Sequence, residues 1–427
     1  MLKTIQQCRL CGNKTLVSVL SLGEQALTGV FPRTREEVVQ RGPLELVKCF
    51  SDNSEECCGL VQLRHSYDPY ELYGSRYGYR SGLSRVMTVH LRRKVERIIR
   101  FFPLAAGDVI VDIGSNDGTL LNAYPGGQFF LLGIDPTIKK FRSYYSPSIH
   151  LIADFFPSAA VKECLSGKRA KVVTSIAMLY DLESPLDFMR QVHDILDDEG
   201  VWIFEQGYLP LMMMGGVYDA VCHEHLEYYA LRQIKWMMDR VDLKIVDLEL
   251  NTINGGSLSV TAAKRKSSWG ENNAFIEKLL QEEGRQGLGT MTPYKKYAER
   301  VWRHREMLRT SIRNIRAEGK NIAGYGASTK GNVLLQFCGL TADDLLFIAE
   351  INEDKWGCFT PGTLIPIVPE ERIGSAVPDY LLVLPWHLRA DFLKRQKAFL
   401  GRGGGALFPF PEVEIVLKKK RLCGGAF

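Results

Sequence analysis

Three consecutive residues, His223, Glu224 and His225, form the densest cluster of titratable side chains in the middle of this 427-residue chain. An imidazole with an ordinary pKa of about 6.5 can take up a proton at neutral pH, and an adjacent carboxylate can orient it. The triplet follows the apolar run VWIFEQ, so we expect it at the edge of a sheet, acting as a general base. A His-x-His metal site is one alternative. A structural cluster with both imidazoles bonded to backbone carbonyls is another.

Cysteines near the N-terminus predict a metal site. Five of the ten cysteines fall in the first 58 residues, in the knuckle CRLCG and in a second group about forty residues later. We prefer Cys58 to Cys57 as a ligand, because Cys58 directly precedes Gly59 and repeats the Cys-Gly order of the knuckle. Four thiolates in two groups suit a closed, structural tetrahedral zinc site, with disulfides or free thiols as the alternative. The predicted ligands are Cys8, Cys11, Cys49 and Cys58.

The segment IVDIGSNDGTLL, residues 110–121, predicts a strand, a tight turn and the start of a helix. Such a turn brings backbone close to a nucleoside ligand. The glycines Gly114 and Gly118 are spaced G-x-x-x-G, so the nicotinamide pattern G-x-G-x-x-G is absent. The next two apolar runs end in Asp135, which can accept both hydroxyls of a ribose, and in Asp154, which can meet an adenine edge.

Strands and helices alternate from residue 108 to about 250, which predicts a doubly wound α/β sheet with ligands at the carboxyl ends of its strands. A helix is predicted over 84–102, and another over 232–240. A charged, helical stretch (271–319) then leads into a second α/β unit that contains the turn GYGASTKG. The predicted domains are a zinc-binding module (1–68), a central domain (69–250) and a C-terminal Rossmann-like domain (251–427).

Composition places the chain among ordinary globular proteins, with 45% hydrophobic and 24% charged residues. A net charge of +5 gives little support for binding to nucleic acid or to an acidic membrane surface. The basic run LKKKR at 417–421 is interpreted as a solvated surface. No run approaches 18 apolar residues and no signal-peptide pattern is present. We therefore expect a cytoplasmic enzyme with a small-molecule substrate and neither a nucleic-acid nor a membrane partner.

Several motifs, taken together and in this order, resemble the three-domain sugar C-methyltransferases. These motifs are CRLCG, CGLVQL, ELYGSRYGYRSG, VDIGSNDGTLL, CHEHLEYY, NGGSLSV and GYGASTKGN. The resemblance covers nearly the whole chain. It implies a zinc-binding module, a central class I S-adenosylmethionine (SAM) domain and a C-terminal Rossmann-like domain. It also implies that the substrate is a nucleotide-linked keto-deoxysugar.

The resemblance also implies roles for individual residues. His225 becomes the base, Glu224 orients it, and Tyr77 or Tyr79 covers the active site. His223 or a tyrosine hydroxyl would stabilise an enolate, whose carbon attacks the SAM methyl group. The implied SAM-binding residues are Asp112, Gly114, Ser115, Asn116, Gly118, Asp135 and Asp154.

Two positions depart from the family pattern. Members with established sugar chemistry tend to have tyrosine where this chain has Cys222, and histidine in the segment AMLYDLESP, which here contains Tyr180. Both departures fall in the expected active site, so the sugar and even the acceptor atom are left open. An O- or N-methyltransferase is one alternative. A nicotinamide-dependent oxidoreductase and a nucleic-acid-binding zinc knuckle are alternatives from other classes.

Overall fold

A computed structural model of the chain describes residues 2–51, 57–74 and 77–417. Most of the basic run LKKKR and of the polar insertion that precedes Cys58 therefore lies outside the described residues. The chain forms two compact units. The first contains Met1–Leu22, Pro43–Met214 and His223–Tyr297, and the second contains Gly23–Gly42, Gly215–Cys222 and Ala298–Phe427.

The secondary structure follows the predicted alternation. The strands are β1 (Lys3–Thr4), β2 (Leu16–Ala26), β3 (Arg41–Cys49), β4 (Val61–Leu63), β5 (His65–Ser66), β6 (Val109–Ile113), β7 (Phe130–Ile134), β8 (His150–Ile152), β9 (Ala170–Ile176), β10 (Leu196–Gly207), β11 (Glu227–Tyr228), β12 (Leu243–Asn251), β13 (Ser257–Lys264), β14 (Ile322–Tyr325), β15 (Ile348–Glu350), β16 (Ile367–Pro369), β17 (Tyr380–Val383), β18 (Gly405–Phe408) and β19 (Glu414–Leu417). The α-helices are α1 (Pro69–Leu72), α2 (Arg85–Phe101), α3 (Ile138–Phe141), α4 (Ser158–Leu165), α5 (Pro185–Ile195), α6 (Leu209–Met214), α7 (Leu231–Arg240), α8 (Asn273–Arg285), α9 (Thr292–Ala317), α10 (Thr329–Cys338), α11 (Arg372–Ala376), α12 (Arg389–Arg395) and α13 (Lys397–Gly401).

The central sheet of the first unit has seven strands in the order β12-β13-β10-β9-β6-β7-β8. The five strands from β10 to β8 pair in parallel, whereas β13 runs antiparallel to both β10 and β12. The order in which the chain adds strands to the sheet reverses at β6. The carboxyl ends of β6, β7 and β9 therefore lie at a topological switch point, where such sheets bind ligands. The doubly wound sheet is confirmed, and it carries an antiparallel edge.

Helix α2 confirms the prediction over 84–102. Its first turn is capped by Ser84, whose Oγ accepts a hydrogen bond from Met87 N at 3.3 Å. Leu91, Val95 and Ile98 are buried on one face, in a core that includes apolar residues of β6 and β10. Burial of this stripe fixes α2 against the sheet and places its polar residues beside β10.

The prediction of a helix directly after the glycine turn in residues 110–121 is wrong. Between β6 and β7 the described chain has no α-helix and forms only a 3-10 turn at Leu121–Ala123. Gly118 adopts a φ of 75°, outside helical geometry. The sequence Pro-Gly-Gly at 125–127 then prevents continuation, because proline lacks the donor and glycine favours other conformations.

A second sheet of the first unit joins distant parts of the chain, in the order β11-β4-β3-β2. Strand β11 follows the His-Glu-His triplet and pairs antiparallel with β4, Glu227 opposite Gln62 and Tyr228 opposite Val61. Residues 1–68 are predicted from the sequence to form a zinc-binding module. In the structure, the sheet of this module also receives strand β11 from the central region.

The second unit contains a six-stranded sheet in the order β16-β15-β14-β17-β18-β19. Its first five strands are parallel and β19 is antiparallel. The turn GYGASTKG links β14 to α10, with Ser328 as the N-cap. The charged stretch at 271–319 is helical as predicted, but it forms the two helices α8 and α9. None of the helices among the described residues is long and apolar enough to cross a membrane.

Candidate active site and zinc site

The four cysteines predicted as zinc ligands come together in the first unit. Their sulfur atoms all lie within 4.8 Å of one another. Cys8 and Cys58 are 3.5 Å apart, as are Cys11 and Cys49. Four thiolates around a zinc ion at about 2.3 Å would be separated by roughly 3.8 Å, so the spacing fits a tetrahedral zinc.

Local backbone geometry supports this arrangement. Gly12 and Gly59, which follow two of the cysteines, have φ values of 73° and 71°, a conformation that favours glycine. Side-chain amides also approach the sulfurs. Gln62 Nε2 lies 3.2 Å from Cys8 Sγ, and Asn13 Nδ2 lies 3.4 Å from Cys49 Sγ. Such donors stabilise thiolates, and metal sites need this outer support.

The turn after β6 has the shape expected for a nucleoside ligand. Gly114 and Gly118 have φ values of 76° and 75°. A Cβ atom on Gly114 would lie 3.1 Å from the side chain of Met178, in the loop that follows β9. The backbone therefore passes close to the neighbouring loop at the carboxyl edge of the sheet. Ser115 is buried, and its Oγ is 2.8 Å from the hydroxyl of Tyr145.

Polar side chains of this turn also bind the motif ELYGSRYGYRSG, residues 71–82, which we call the tyrosine-rich segment. Asn116 Oδ1 accepts from Ser81 N at 2.9 Å, and its Nδ2 donates to the carbonyl of Tyr79 at 3.2 Å. Asp117 Oδ2 accepts from Gly82 N at 2.9 Å. The sequence predicts only a cofactor-binding role for Asn116. In the structure, it also fixes the segment that was predicted to cover the site.

The acidic residues at the strand ends differ in their surroundings. Asp135 is buried, and its carboxylate accepts bonds from Asn116 N at 2.9 Å and from Thr137 N at 2.7 Å. Burial raises the pKa of Asp135 and these bonds oppose the rise. Burial also raises the pKa of Asp112 to about 7, against a 2.6 Å bond from Thr174. Asp154 is exposed, and its Oδ1 accepts a hydrogen bond from the neighbouring Phe155 N.

The His-Glu-His triplet lies in the loop that leads into β11. His223 is fully buried against the ring of Tyr67, with centroids 4.7 Å apart. His225 is partly buried, and its ring lies 4.4 Å from that of Tyr180. A backbone hydrogen bond of 2.7 Å from Leu226 N to the Tyr180 carbonyl ties this loop to the one after β9. The two loops therefore present their side chains to the same edge of the sheet.

Tyr77 lies near carboxylates of both this loop and the strand ends beside the turn after β6. The carboxylates of Asp181, Asp135 and Glu224 all act on its hydroxyl, whose pKa burial raises well above the ordinary value. Tyr73 packs against Tyr77, with ring centroids 5.2 Å apart. Tyr79 is 43% exposed, so it faces solvent more than its neighbour does. Of the two tyrosines predicted to cover the site, Tyr77 lies among its carboxylates.

Sequence reasoning missed Asp181 and Tyr73. Asp181 ends a short 3-10 turn directly after β9, and its Oδ1 is shielded from solvent. The sequence could have indicated Asp181, because an acidic residue just beyond a central parallel strand falls at the ligand-binding edge of the sheet. The departure from the family histidine points instead to Tyr180, one residue earlier. Cys222, the other departure, is fully buried.

Comparison with known proteins agrees with this architecture. Three family models match in chain order: the "Putative zinc binding domain" at residues 8–73, the "Methyltransferase domain" at 87–248 and the "C-methyltransferase C-terminal domain" at 252–411. The C-methyltransferase NovU of Streptomyces niveus is 28% identical over 99% of both chains. A tRNA U34 carboxymethyltransferase of Pseudoalteromonas translucida is 25% identical over 44% of this chain, which covers 58% of that protein.

Among solved structures, a SAM-dependent methyltransferase from Clostridium acetobutylicum matches 41% of this chain and 90% of its own, at 14% identity and a TM-score of 0.32. The sheet order, the glycine turn and the family models define a SAM-dependent methyltransferase with a structural zinc site. In the order of its three matched models and in its full-length similarity to NovU, the chain resembles C-methyltransferases that combine a zinc-binding domain, a methyltransferase domain and a dedicated C-terminal domain.

Proposed function

We propose that this enzyme methylates a carbon atom next to the ketone of a nucleotide-linked keto-deoxysugar, with His225 as the general base. The observation that carries the proposal is the position of His225. It lies against Tyr180, in a loop tied to the end of β9, next to the switch point where β6 and β7 end. Similarity along the whole chain to NovU, named a C-methyltransferase, supports carbon as the acceptor atom.

The residues at the β6 and β7 edges fit SAM. The turn at Gly114 brings backbone close to a ligand, and Asp135 still has acceptor capacity for ribose hydroxyls beside its bonds to Asn116 and Thr137. When bound, SAM supplies an electrophilic methyl group. The remaining difficulty is to make the acceptor carbon nucleophilic, and this task falls to the side chains around the His-Glu-His loop.

A ketone acidifies the C–H bonds beside it, so a base of near-neutral pKa can form the enolate. His225 has a suitable ordinary pKa and sits only partly buried, open to a substrate. Glu224, its buried neighbour, orients the imidazole. The tyrosine-rich segment, held by Asn116 and Asp117, covers the reacting atoms and excludes water. Zinc on four cysteines has no open position, so its role is structural.

We infer that the enzyme is cytoplasmic, because a reducing compartment keeps zinc-binding thiols reduced. Its binding partner is a small molecule, because a modest net charge of +5 provides little electrostatic attraction for the phosphates of nucleic acid.

Solvent deuterium exchange tests the base directly. The protein is incubated in deuterated buffer with an inert SAM analogue and a 4-keto sugar nucleotide, and exchange at the neighbouring carbon is followed by mass spectrometry. We expect exchange by the native protein and a loss of about 10²–10⁴ in its rate for His225→Ala. His193→Ala, on α5, is the matched control and should exchange normally. Undiminished exchange by His225→Ala would place the base elsewhere, with Tyr77, Tyr79 or His223 as the next candidates.

A further inference from the structure

Each polar group of Asn116 has a hydrogen-bond partner, and these partners come from three separate segments of the chain. The backbone N–H donates to Asp135 Oδ2 at 2.9 Å, and the carbonyl accepts from the Tyr145 hydroxyl at 2.8 Å. The side-chain Oδ1 accepts from Ser81 N at 2.9 Å, and Nδ2 donates to the Tyr79 carbonyl at 3.2 Å. Asn116 therefore links the carboxylate proposed to bind ribose directly to the tyrosine-rich segment.

The backbone of Asn116 has a conformation that few residues adopt. Its φ is 50°, in the left-handed region, where asparagine is found more often than most residues with a side chain. Asn116 is also buried, with 8% exposure. A rotation about this φ would disturb the backbone bonds on one side and the side-chain bonds on the other. A ligand that fixes one set of bonds therefore also fixes the other.

The part of the tyrosine-rich segment bound in this way, residues 79–82, leads to the acceptor side of the site. Gly82 N donates to Asp117 Oδ2 at 2.9 Å, so two neighbouring residues of the turn after β6 bind consecutive amides of the segment. Tyr77 precedes this part by two residues, and the negative charge of Glu224 raises the pKa of its hydroxyl. Ordering of residues 79–82 therefore also restricts Tyr77 beside the His-Glu-His loop.

We propose that Asn116 is a positioning residue that couples the two substrates of the reaction. SAM bound at Asp135 orders residues 79–82 through Asn116, and the ordered segment binds the acceptor more tightly. This inference rests on the proposed function and adds an order of binding to it. A ligand that orders a segment removes that entropy cost from the binding of a second ligand that needs the same order. By linkage, the acceptor tightens SAM binding by the same factor.

Asn116→Gly removes the link from the side of the turn. The substitution deletes both side-chain bonds to the tyrosine-rich segment. Glycine adopts a φ of 50° without strain, so the backbone bonds to Asp135 and Tyr145 are kept. The variant therefore tests the side chain of Asn116 separately from the shape of the turn.

Ser81→Pro removes the link from the side of the tyrosine-rich segment and leaves Asn116 itself unchanged. Proline has no N–H to donate to Asn116 Oδ1. Ser81 is the first residue of a 3-10 turn, where proline is tolerated, and Arg80 before it is extended, as a residue before proline prefers. Ser81→Ala keeps the N–H and loses only the hydroxyl, so it is the matched control.

Hydrogen exchange tests the link without an acceptor. Exchange of the Gly82 amide, which all these variants retain, is measured by mass spectrometry with and without S-adenosylhomocysteine, the demethylated form of SAM. In the native protein and in Ser81→Ala, we expect this ligand to slow exchange about fivefold or more, the lower end of usual coupling between two sites. In Asn116→Gly and Ser81→Pro, it should slow exchange less than about twofold. Undiminished slowing in Ser81→Pro, or none in the native protein, would overturn the inference.

Calorimetry distinguishes failure of this inference from failure of the proposed function. S-adenosylhomocysteine should tighten binding of a 4-keto sugar nucleotide about fivefold or more in the native protein and less than about twofold in Ser81→Pro. If the native protein does not bind the sugar nucleotide, the proposed acceptor is wrong, and the exchange experiment still decides whether Asn116 links cofactor and segment. If the native protein and Ser81→Pro show the same coupling, the acceptor is right and the coupling does not pass through Asn116.

Discussion

Gln62 and Glu227 face each other across the antiparallel pair of β4 and β11. Gln62 also donates from Nε2 to Cys8 Sγ at 3.2 Å and accepts from Arg9 N at 3.1 Å. A zinc ligand and the strand that follows His225 are therefore joined through one glutamine. The cysteine cluster is therefore linked to the strand that follows the proposed catalytic loop.

Zinc removal should therefore affect turnover before it affects SAM binding. We expect about one zinc per chain in the native protein and, after chelation, a large loss of methyl transfer, because β4 and β11 lose their support. SAM affinity should be largely retained, since the turn at Gly114 and Asp135 belong to the other sheet. Metal analysis, titration calorimetry and turnover are measured on the same sample. A metal-free enzyme with full activity would contradict the prediction.

Replacement of Asp135 should weaken SAM binding selectively. Asp135→Ala removes two charge-assisted bonds to the ribose, each worth about 1.5–3 kcal/mol. The carboxylate also holds Asn116 N and Thr137. Thr137→Val, which removes one of these internal bonds and keeps the carboxylate, is therefore the control and should bind SAM far better than Asp135→Ala. Calorimetric titration checks both, and native affinity in Asp135→Ala would count against the assignment.

A buried ion cluster on β10 should matter for stability. Glu205 lies 2.9 Å from Lys94 and 2.7 Å from His90, with 2% and 7% exposure for the Glu205 and Lys94 side chains. Although burial opposes ionisation, these partners lower the pKa of Glu205 to about 2. Glu205→Gln leaves Lys94 without its counter-charge and should cost about 3–5 kcal/mol in the free energy of unfolding. Glu249→Gln, which breaks an exposed pair with Arg97, should cost less than about 1 kcal/mol.

The pH dependence of this contribution has a definite sign. Because the folded pKa of Glu205 lies below its ordinary value of about 4.3, the stabilisation is present at neutral pH and disappears as pH falls from about 4.3 through 2. Denaturant unfolding at pH 7 and pH 3 should show a smaller difference between native and Glu205→Gln protein at the lower pH. An equal difference at both values would exclude ionised Glu205 as the source.

Alanine substitutions at two glycines of similar conformation should distinguish the cost of backbone strain from the cost of steric overlap. Gly118 and Gly127 have φ values of 75° and 73°. A Cβ on Gly118 would lie 2.5 Å from the ring of Tyr145, whereas a Cβ on Gly127 would meet nothing within 4 Å. Gly127→Ala should cost about 1–2 kcal/mol for the left-handed backbone. Gly118→Ala should cost a further 1–3 kcal/mol or so for overpacking. Equal thermal shifts in the two variants would show that Tyr145 moves aside.

The sequence by itself determined the local features. Apolar runs that end in acidic or glycine residues located the strands of both units, and the repeated Cys-Gly order selected Cys58 over Cys57. The Ser84 cap and the apolar stripe after it located α2. These predictions succeed because strand, turn and cap preferences depend on neighbouring residues, and a strand end in a parallel sheet has only one edge to occupy.

Only the tertiary structure decided which distant residues share a site. Glu227 pairs with a strand of the zinc module, Asn116 holds the tyrosine-rich segment, and Asp181 lies beside Tyr73 and Glu224. These contacts join residues that are far apart in the chain, so no sequence pattern indicates them. They arise because burial places side chains from remote segments in a poorly solvated region, where unpaired polar groups and like charges are costly. The same burial raises the pKa of Asp181 well above its ordinary value, a shift that its residue type alone would not predict.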